Sequence, residues 1–523
     1  MEDLITLMFI SRHNENNLKQ KPTTMRTLHL CIVLLTVFGG YAQKSTDTIP
    51  KAEVATTMQS VNINGKTIYL TAKAGTFQVR DENNEPIALM GHTFYSKDSK
   101  TGNNRRPIVF AFNGGPGSSS FWLHMGILGP KRIVVNDPIS TPAAPYTLTN
   151  NNFSILDVAD LVMIDPVGTG LSIPIGKAKF KDFWGVDQDI RSLSLFITQF
   201  LIANNRMNSP KYLLGESYGT FRNAGLMNKL LSQGIAMNGV IMVSAVFDLR
   251  TLIFPPGDDM PYVAHFPTYA ATAWYHDKVQ NKPEDVYAFL DEVRNFTENE
   301  YVPALYKGDQ LTDSDKKAVA EKLANYTGTD SKYWMNANLR VTASEFFAEF
   351  LRDEGEIVGR LDSRFTGINQ DLLSQDGSHD PQSAAISPAY IAGYLDYFYG
   401  TLKVNKETTY AITAGRREGF KWDWNHEGNL RWGTQAAINT GIDMAEALSR
   451  DPNMKVLILN GIYDMATVFY GVEHSINHLG LKKEIKDNII MKYYEAGHMM
   501  YTHQPSLEKF KKDVAGFILE TSK

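Results

Sequence analysis

Apolar residues gather in this chain into short unbroken runs that stop abruptly at glycine-bearing polar sequence. Residues 107–112 (PIVFAF) stop at Asn113-Gly114-Gly115-Pro116-Gly117, residues 161–164 stop at Asp165-Pro166-Val167-Gly168, and residues 455–459 (KVLIL) stop at Asn460-Gly461. Residues 239–246 (GVIMVSAV) form another such run. Runs of this length without polar alternation predict strands covered on both faces. Between them the period changes. Over 187–204, Ile190, Leu193, Ile197, Phe200 and Leu201 share one helical face. Residues 211–215 lead as a strand into a turn, after which Phe221, Ala224, Met227 and Leu231 recur at helical spacing and Gly234 offers a stop. Strand and helix thus alternate from about 107 to 250, which predicts a mostly parallel α/β sheet with helices on both faces. Upstream, residues 61–97 carry β-rich runs separated by Asn-Gly and Asn-Asn, the pattern of antiparallel strands opening the same sheet.

From about 251 to 403 the alternation stops. The segments PEDVYAFLDEVRNF, DSDKKAVAEKLANY and ASEFFAEFLRDEGE are helical in pattern, and no apolar strand-like run interrupts them. They predict a helical cap inserted at 251–405 between two parts of one core, 43–250 and 406–523. The sheet resumes with a helix over 436–448, the KVLIL strand and a last strand over 488–494, and a helix over 506–519 closes the chain.

The chain has 523 residues and a net charge of −5, with no Lys/Arg-rich run, so it is large enough for a sizeable core and poorly suited to nucleic acid. Residues 28–38 form an apolar stretch of signal-peptide length behind Arg26, and Gly40-Tyr41-Ala42 follows as small-x-small. The expectation is a start at Met25, with 1–24 an upstream extension, 25–42 a signal peptide, and no stable membrane insertion after cleavage. Cys31 is the single cysteine and lies inside that stretch. An exported protein without disulfides suits a bacterial periplasm or cell surface, and a thiol nucleophile is excluded.

Ser217 stands at the strand–helix turn in Gly215-Glu216-Ser217-Tyr218-Gly219, the G-x-S-x-G context of a nucleophile elbow. An acyl-transferring serine needs a base to take its proton and a carboxylate to orient that base. Asp464 follows the KVLIL strand and His498 follows the last strand, so serine, acid and histidine come in that order at three strand ends. The glycine run after 107–112 sits where backbone N–H groups complete an oxyanion hole with the residue after the serine, Tyr218. No metal or organic cofactor is implied. His474 and His478 lack an accompanying carboxylate pattern and read as a surface helix. Trp422, Trp424, Trp432 and His426 either line a cleft or pack cap against core.

These blocks resemble the serine carboxypeptidase family. FNGGPGSSS, GESYGT, Asn152-Phe153-Ser154 with MIDPVGTGLS, and Gly497-His498-Met499 with Gln504-Pro505 are similar to its motifs. The resemblance implies an α/β-hydrolase fold under an inserted cap and release of C-terminal residues from peptide substrates. It implies that Ser217, Asp464 and His498 are catalytic, that Gly115 and Tyr218 donate to the oxyanion, and that Asn113 and Glu216 bind the substrate carboxylate. Two features depart from it. The usual disulfides are impossible, and Ile127 stands before Leu128-Gly129-Pro130 where the family has a second carboxylate-binding Glu. An acyltransferase or esterase on the same triad, or a catalytically inactive binding protein, are the alternatives.

Overall fold

The computed structural model describes residues 49–99, 105–427 and 437–523. The expected signal peptide and Trp432 lie outside them.

Fourteen strands are described: β1 (Val54–Ile63), β2 (Lys66–Arg80), β3 (Pro86–Lys97), β4 (Ile108–Phe112), β5 (Lys131–Ile133), β6 (Leu148–Asn150), β7 (Asp160–Ile164), β8 (Ile173–Pro174), β9 (Lys211–Glu216), β10 (Gly239–Val243), β11 (Glu356–Val358), β12 (Thr366–Ile368), β13 (Lys455–Gly461) and β14 (Ile489–Tyr494). The main sheet runs β1-β2-β3-β7-β4-β9-β10-β13-β14, with β8 paired to β3. The β1, β2 and β3 edge is antiparallel, and every pairing from β7 to β14 is parallel. The mostly parallel sheet expected from the alternation is therefore present.

The unbroken apolar runs have a direct cause. Along β4, Val109 and Ala111 join the apolar cluster on one face of the sheet, while Ile108, Phe110 and Phe112 join the cluster on the other. The strands β9, β10 and β13 divide in the same way, Tyr212 and Leu214 against Leu213, Ile241 and Val243 against Val240 and Met242, Leu457 and Leu459 against Val456 and Ile458. Helices Val186–Ala203, Tyr218–Ser232 and Gly441–Arg450 cover one face, and Pro381–Asp396 and Gln504–Thr521 cover the other. Each large side chain buried this way contributes about 1.5–3 kcal/mol.

Residues 251–403 have an apolar core of their own, in which Phe266, Val293, Phe296, Leu323, Trp334 and Phe346 take part; Met465 is its member from the C-terminal part of the chain. One expectation is corrected. The stretch is not strand-free, because β11 and β12 form an antiparallel pair within it. Each strand is three residues long, too short to leave a period in the sequence. The last long helix of the stretch, Pro381–Asp396, packs against the sheet's core through Ile386, Tyr390 and Tyr394.

Between the first two helices lies a buried ion pair, Arg222 Nε to Asp189 Oδ2 at 2.6 Å, with both side chains nearly inaccessible. Arg222 Nη1 also donates to the Asn113 carbonyl at 2.9 Å, tying the loop after β4 to the helix after β9. Arg222→Ala leaves Asp189 buried and uncompensated. It is expected to destabilise the protein by about 3–5 kcal/mol, read from urea unfolding at neutral pH.

Candidate active site

The turn after β9 is set by steric limits. A Cβ on Gly215 would stand 2.2 Å from the Gly219 carbonyl oxygen, so strand and helix meet this closely only because the position is glycine. Ser217 adopts φ 60° and ψ −131°. That is costly backbone for a non-glycine residue, of order 1–3 kcal/mol, and it persists only where neighbours hold it. Ser217 N–H donates to the Val243 carbonyl of β10 at 2.9 Å, and the Thr220 N–H and hydroxyl donate to the Ser217 carbonyl at 2.8 and 2.7 Å. From Tyr212 to Met227 every residue is buried except Ser217. The strain thus leaves one hydroxyl-bearing residue partly exposed in an otherwise buried element.

The loop after β4 presses on this turn. A Cβ on Gly114 would lie 2.4 Å from the Tyr218 nitrogen. Gly115 follows at φ +109° and is exposed, although Gly114, Pro116 and Gly117 are buried. Among the described residues, neither the Gly115 nor the Tyr218 N–H donates to a protein acceptor. Both remain available to an incoming oxygen. Asp165, at the end of β7, accepts from Ser120 N–H at 2.8 Å and Tyr410 hydroxyl at 2.9 Å, and so fixes the far end of the glycine loop. Burial pushes its carboxyl up to about 6.

Asp464 and His498 are brought together as expected, Nδ1 of His498 lying 2.7 Å from Asp464 Oδ2. Asp464 is fully buried and also accepts from the N–H groups of Ala466 and Thr467 at 2.8 and 2.9 Å and from the Thr467 hydroxyl at 2.7 Å. With every lone pair engaged, the carboxylate is fixed in orientation and fixes the imidazole in turn. Burial disfavours the charged form of His498, but the charge and hydrogen bond of Asp464, with the charge of Glu216, outweigh it and raise its pKa.

The loop between β11 and β12 clamps these two groups, which the sequence did not signal. The His498 N–H donates to the Leu361 carbonyl at 2.6 Å, Gly497 N–H to Asp362 Oδ2 at 3.0 Å, and Met465 N–H to the Arg360 carbonyl at 3.0 Å. Asp362 is fully buried and is paired with Arg364, which also reaches Asp137. Arg360 itself is half-buried and forms no ion pair among the described residues.

Asn113 and Glu216 also meet. Asn113 Nδ2 donates to Glu216 Oε1 at 3.0 Å, and Asn113 Oδ1 accepts from Leu123 N–H at 3.0 Å. Burial pushes the Glu216 carboxyl up to about 7. Ile127 is fully buried in the apolar core. The tryptophans lie on the core side: Trp422 and Trp424 pack edge-on against Tyr218, at 5.5 and 6.1 Å between ring centres. His426 bridges Asp187 and Asp443 at 2.5 and 2.8 Å. The rings of His474 and His478 lie 3.9 Å apart, and no cluster of metal-ligating side chains occurs among the described residues.

The fold is that of an α/β-hydrolase. Residues 90–518 match the model of the serine carboxypeptidase family, so the chain belongs to that family and is a serine hydrolase. Among solved structures it is similar to the prohormone-processing carboxypeptidase Kex1 of Saccharomyces cerevisiae, with 16% identity, a TM-score of 0.50, and 86% of this chain and 91% of that one covered. A Pyrococcus furiosus esterase is more distant, with 11% identity, a TM-score of 0.33, and 86% and 91% covered. No curated protein sequence matches the chain. No helix among the described residues is long and apolar enough to cross a membrane.

The raised pKa of Glu216 has a consequence for stability. Its folded value, about 7, lies above the ordinary 4.5, so folding takes up a proton between those values and stability falls as pH rises through them. Glu216→Gln removes that loss. The variant is expected to gain up to about 3 kcal/mol over wild type at pH 8 and nothing at pH 4, measured by urea unfolding at both.

Proposed function

We propose that the protein is an exported serine carboxypeptidase that releases C-terminal residues through an acyl-enzyme. Ser217 Oγ attacks the last peptide carbonyl while His498 takes its proton, and a C–O bond forms. The backbone N–H groups of Gly115 and Tyr218 hold the resulting oxyanion. The C–N bond then breaks, His498 returns the proton to the leaving amino group, and water, deprotonated by the same imidazole, hydrolyses the ester. Asp464 orients His498 and stabilises its charged form. Asn113 and Glu216 bind the substrate's terminal carboxylate, and the cap sets which side chains enter. Export rests on the apolar stretch 28–38 behind Arg26, and the absence of cysteine beyond it suits a bacterial periplasm or cell surface.

The observation that carries this reading is the conjunction of one partly exposed, strained serine with a buried, hydrogen-bonded His–Asp pair on neighbouring strand ends. An esterase or acyltransferase would use the same groups, and the apolar Ile127 favours it by removing one carboxylate donor. Mass spectrometry of a peptide mixture separates the readings. Ladders shortened from the C-terminus are expected; internal cuts or no change would sink the carboxypeptidase assignment.

Ser217→Ala and His498→Ala are each expected to lower kcat by roughly 10^4 or more, and the double variant to be little worse than either, because the members act as a unit. Losses that multiply would show that the two residues do not share a step.

A further inference from the structure

Beside Asn113 lie two buried oxygen atoms, one of Glu216 and one of Tyr501, that lack a close partner. Among the described residues neither Glu216 Oε2 nor the Tyr501 hydroxyl makes a hydrogen bond of good geometry; they interact only loosely, with each other and, for the hydroxyl, with Asn113. The two residues are 3% and 0% exposed. Buried polar atoms are rarely left unpaired, so two such oxygens on facing groups point to a third party that completes them. The groups do face each other. The Tyr501 hydroxyl eases ionisation of Glu216, while burial first, then the Glu216 charge, hold the phenol well above its usual pKa. The hydroxyl also senses Asn113.

The ring's position is built in. A Cβ on Gly126 would stand 2.3 Å from Tyr501 Cε2 and 3.2 Å from the Tyr390 hydroxyl, so a larger residue there would displace the ring. The next residue, Ile127, turns into the apolar core and brings no donor. The 126–127 segment therefore offers space where it offers no polar group, and the loop after His498 fills that space with a phenol.

We propose that Tyr501 is a specificity-determining residue whose hydroxyl donates a hydrogen bond to the C-terminal carboxylate of the peptide substrate, alongside Asn113 and Glu216. It rests on the reading above, in which Asn113 and Glu216 bind that carboxylate. The chemistry suits the place. Asn113 reaches in from the loop after β4, Glu216 from β9, His498 and Asp464 from the loops after β14 and β13, and Tyr390 from the helix Pro381–Asp396. Of the groups nearest the ligand, Glu216 donates only while protonated and repels a carboxylate once ionised. A phenol stays protonated throughout the working range and carries no charge to repel. Preference for a free acid then has two parts, one from Glu216 that fades as pH rises through about 7, and one from Tyr501 that does not.

The test is kcat/KM for a peptide and its C-terminal amide at pH 5 and pH 8, with Tm measured for each variant. Tyr501→Phe deletes one oxygen and is expected to lower the acid-to-amide ratio roughly tenfold or more at both pH values, mainly through KM, because a hydrogen bond to a charged group is lost. Glu216→Gln, which donates at every pH, is expected to flatten the pH dependence and keep the preference. An unchanged ratio in Tyr501→Phe, or equal losses on acid and amide, overturns the proposal. A wild-type preference that survives Tyr501→Phe and disappears in Arg360→Gln moves the contact to Arg360. A wild type with no acid preference at either pH defeats the Asn113 and Glu216 reading, and Tyr501 with it.

Discussion

The arrangement of the site depends on one close approach, that of the loop after β4 to the turn after β9. Gly114 has no space for a side chain because Tyr218 N, Gly219 N and the Glu216 carbonyl all lie within 2.7 Å of where a Cβ would be. This contact brings the loop that carries Gly115 against the turn that carries Ser217 and Tyr218. It is held from below by Arg222, which pairs with Asp189 while donating to the Asn113 carbonyl. A buried charge pair is seldom the cheapest way to stabilise a fold. Here it joins the loop after β4 and the helix Val186–Ala203 to the helix after β9, which an apolar replacement could not do.

The opposite wall is assembled from distant parts of the chain. Gly497 N–H and Asp362 are 135 residues apart in sequence, yet they are bonded, and the Ser244 hydroxyl donates to the His498 carbonyl across 254. Asp362 in turn is held by Arg364. Residues 251–403 therefore help to build the site, since their β11–β12 loop fixes the backbone on which the histidine is carried, while their apolar core reaches Met465, next to Asp464.

What was legible in the sequence follows from this. Runs buried on two faces show as unbroken apolar stretches, so β4, β7, β10 and β13 could be read, and the residues at their ends with them. Ser217 was marked by flanking glycines, Asp464 and His498 by their places after strands, and the Asp464–His498 contact is present as expected. The β11–β12 pair was missed because three-residue strands carry no period. Arg222 was missed because a charge on a helix ordinarily faces solvent; its neighbours Phe221, Ala224 and Met227 were the available signal. Tyr501 was missed because a tyrosine beside a histidine motif reads as packing. Only an unpaired hydroxyl next to an unpaired carboxyl oxygen gives it another meaning, and that is a fact of three dimensions.

The two carboxyl groups near His498 are treated oppositely. Asp464 receives hydrogen bonds from Ala466, Thr467 and His498. Glu216 accepts from Asn113 and is neighboured by the Tyr501 hydroxyl, and burial lifts it to about 7. On the proposed roles the difference sets opposing demands on pH. A base must be neutral, and both carboxylates favour the proton on His498, so the chemical step gains as pH rises. Glu216 serves a substrate carboxylate best when protonated, so recognition gains as pH falls. One optimum can satisfy both only if some donor to the substrate does not titrate between them. Asn113 gives one amide proton to Glu216 and keeps the other for the substrate, and an amide does not titrate. The Tyr501 phenol beside Glu216 also keeps its proton throughout, and would add a second donor that does not titrate.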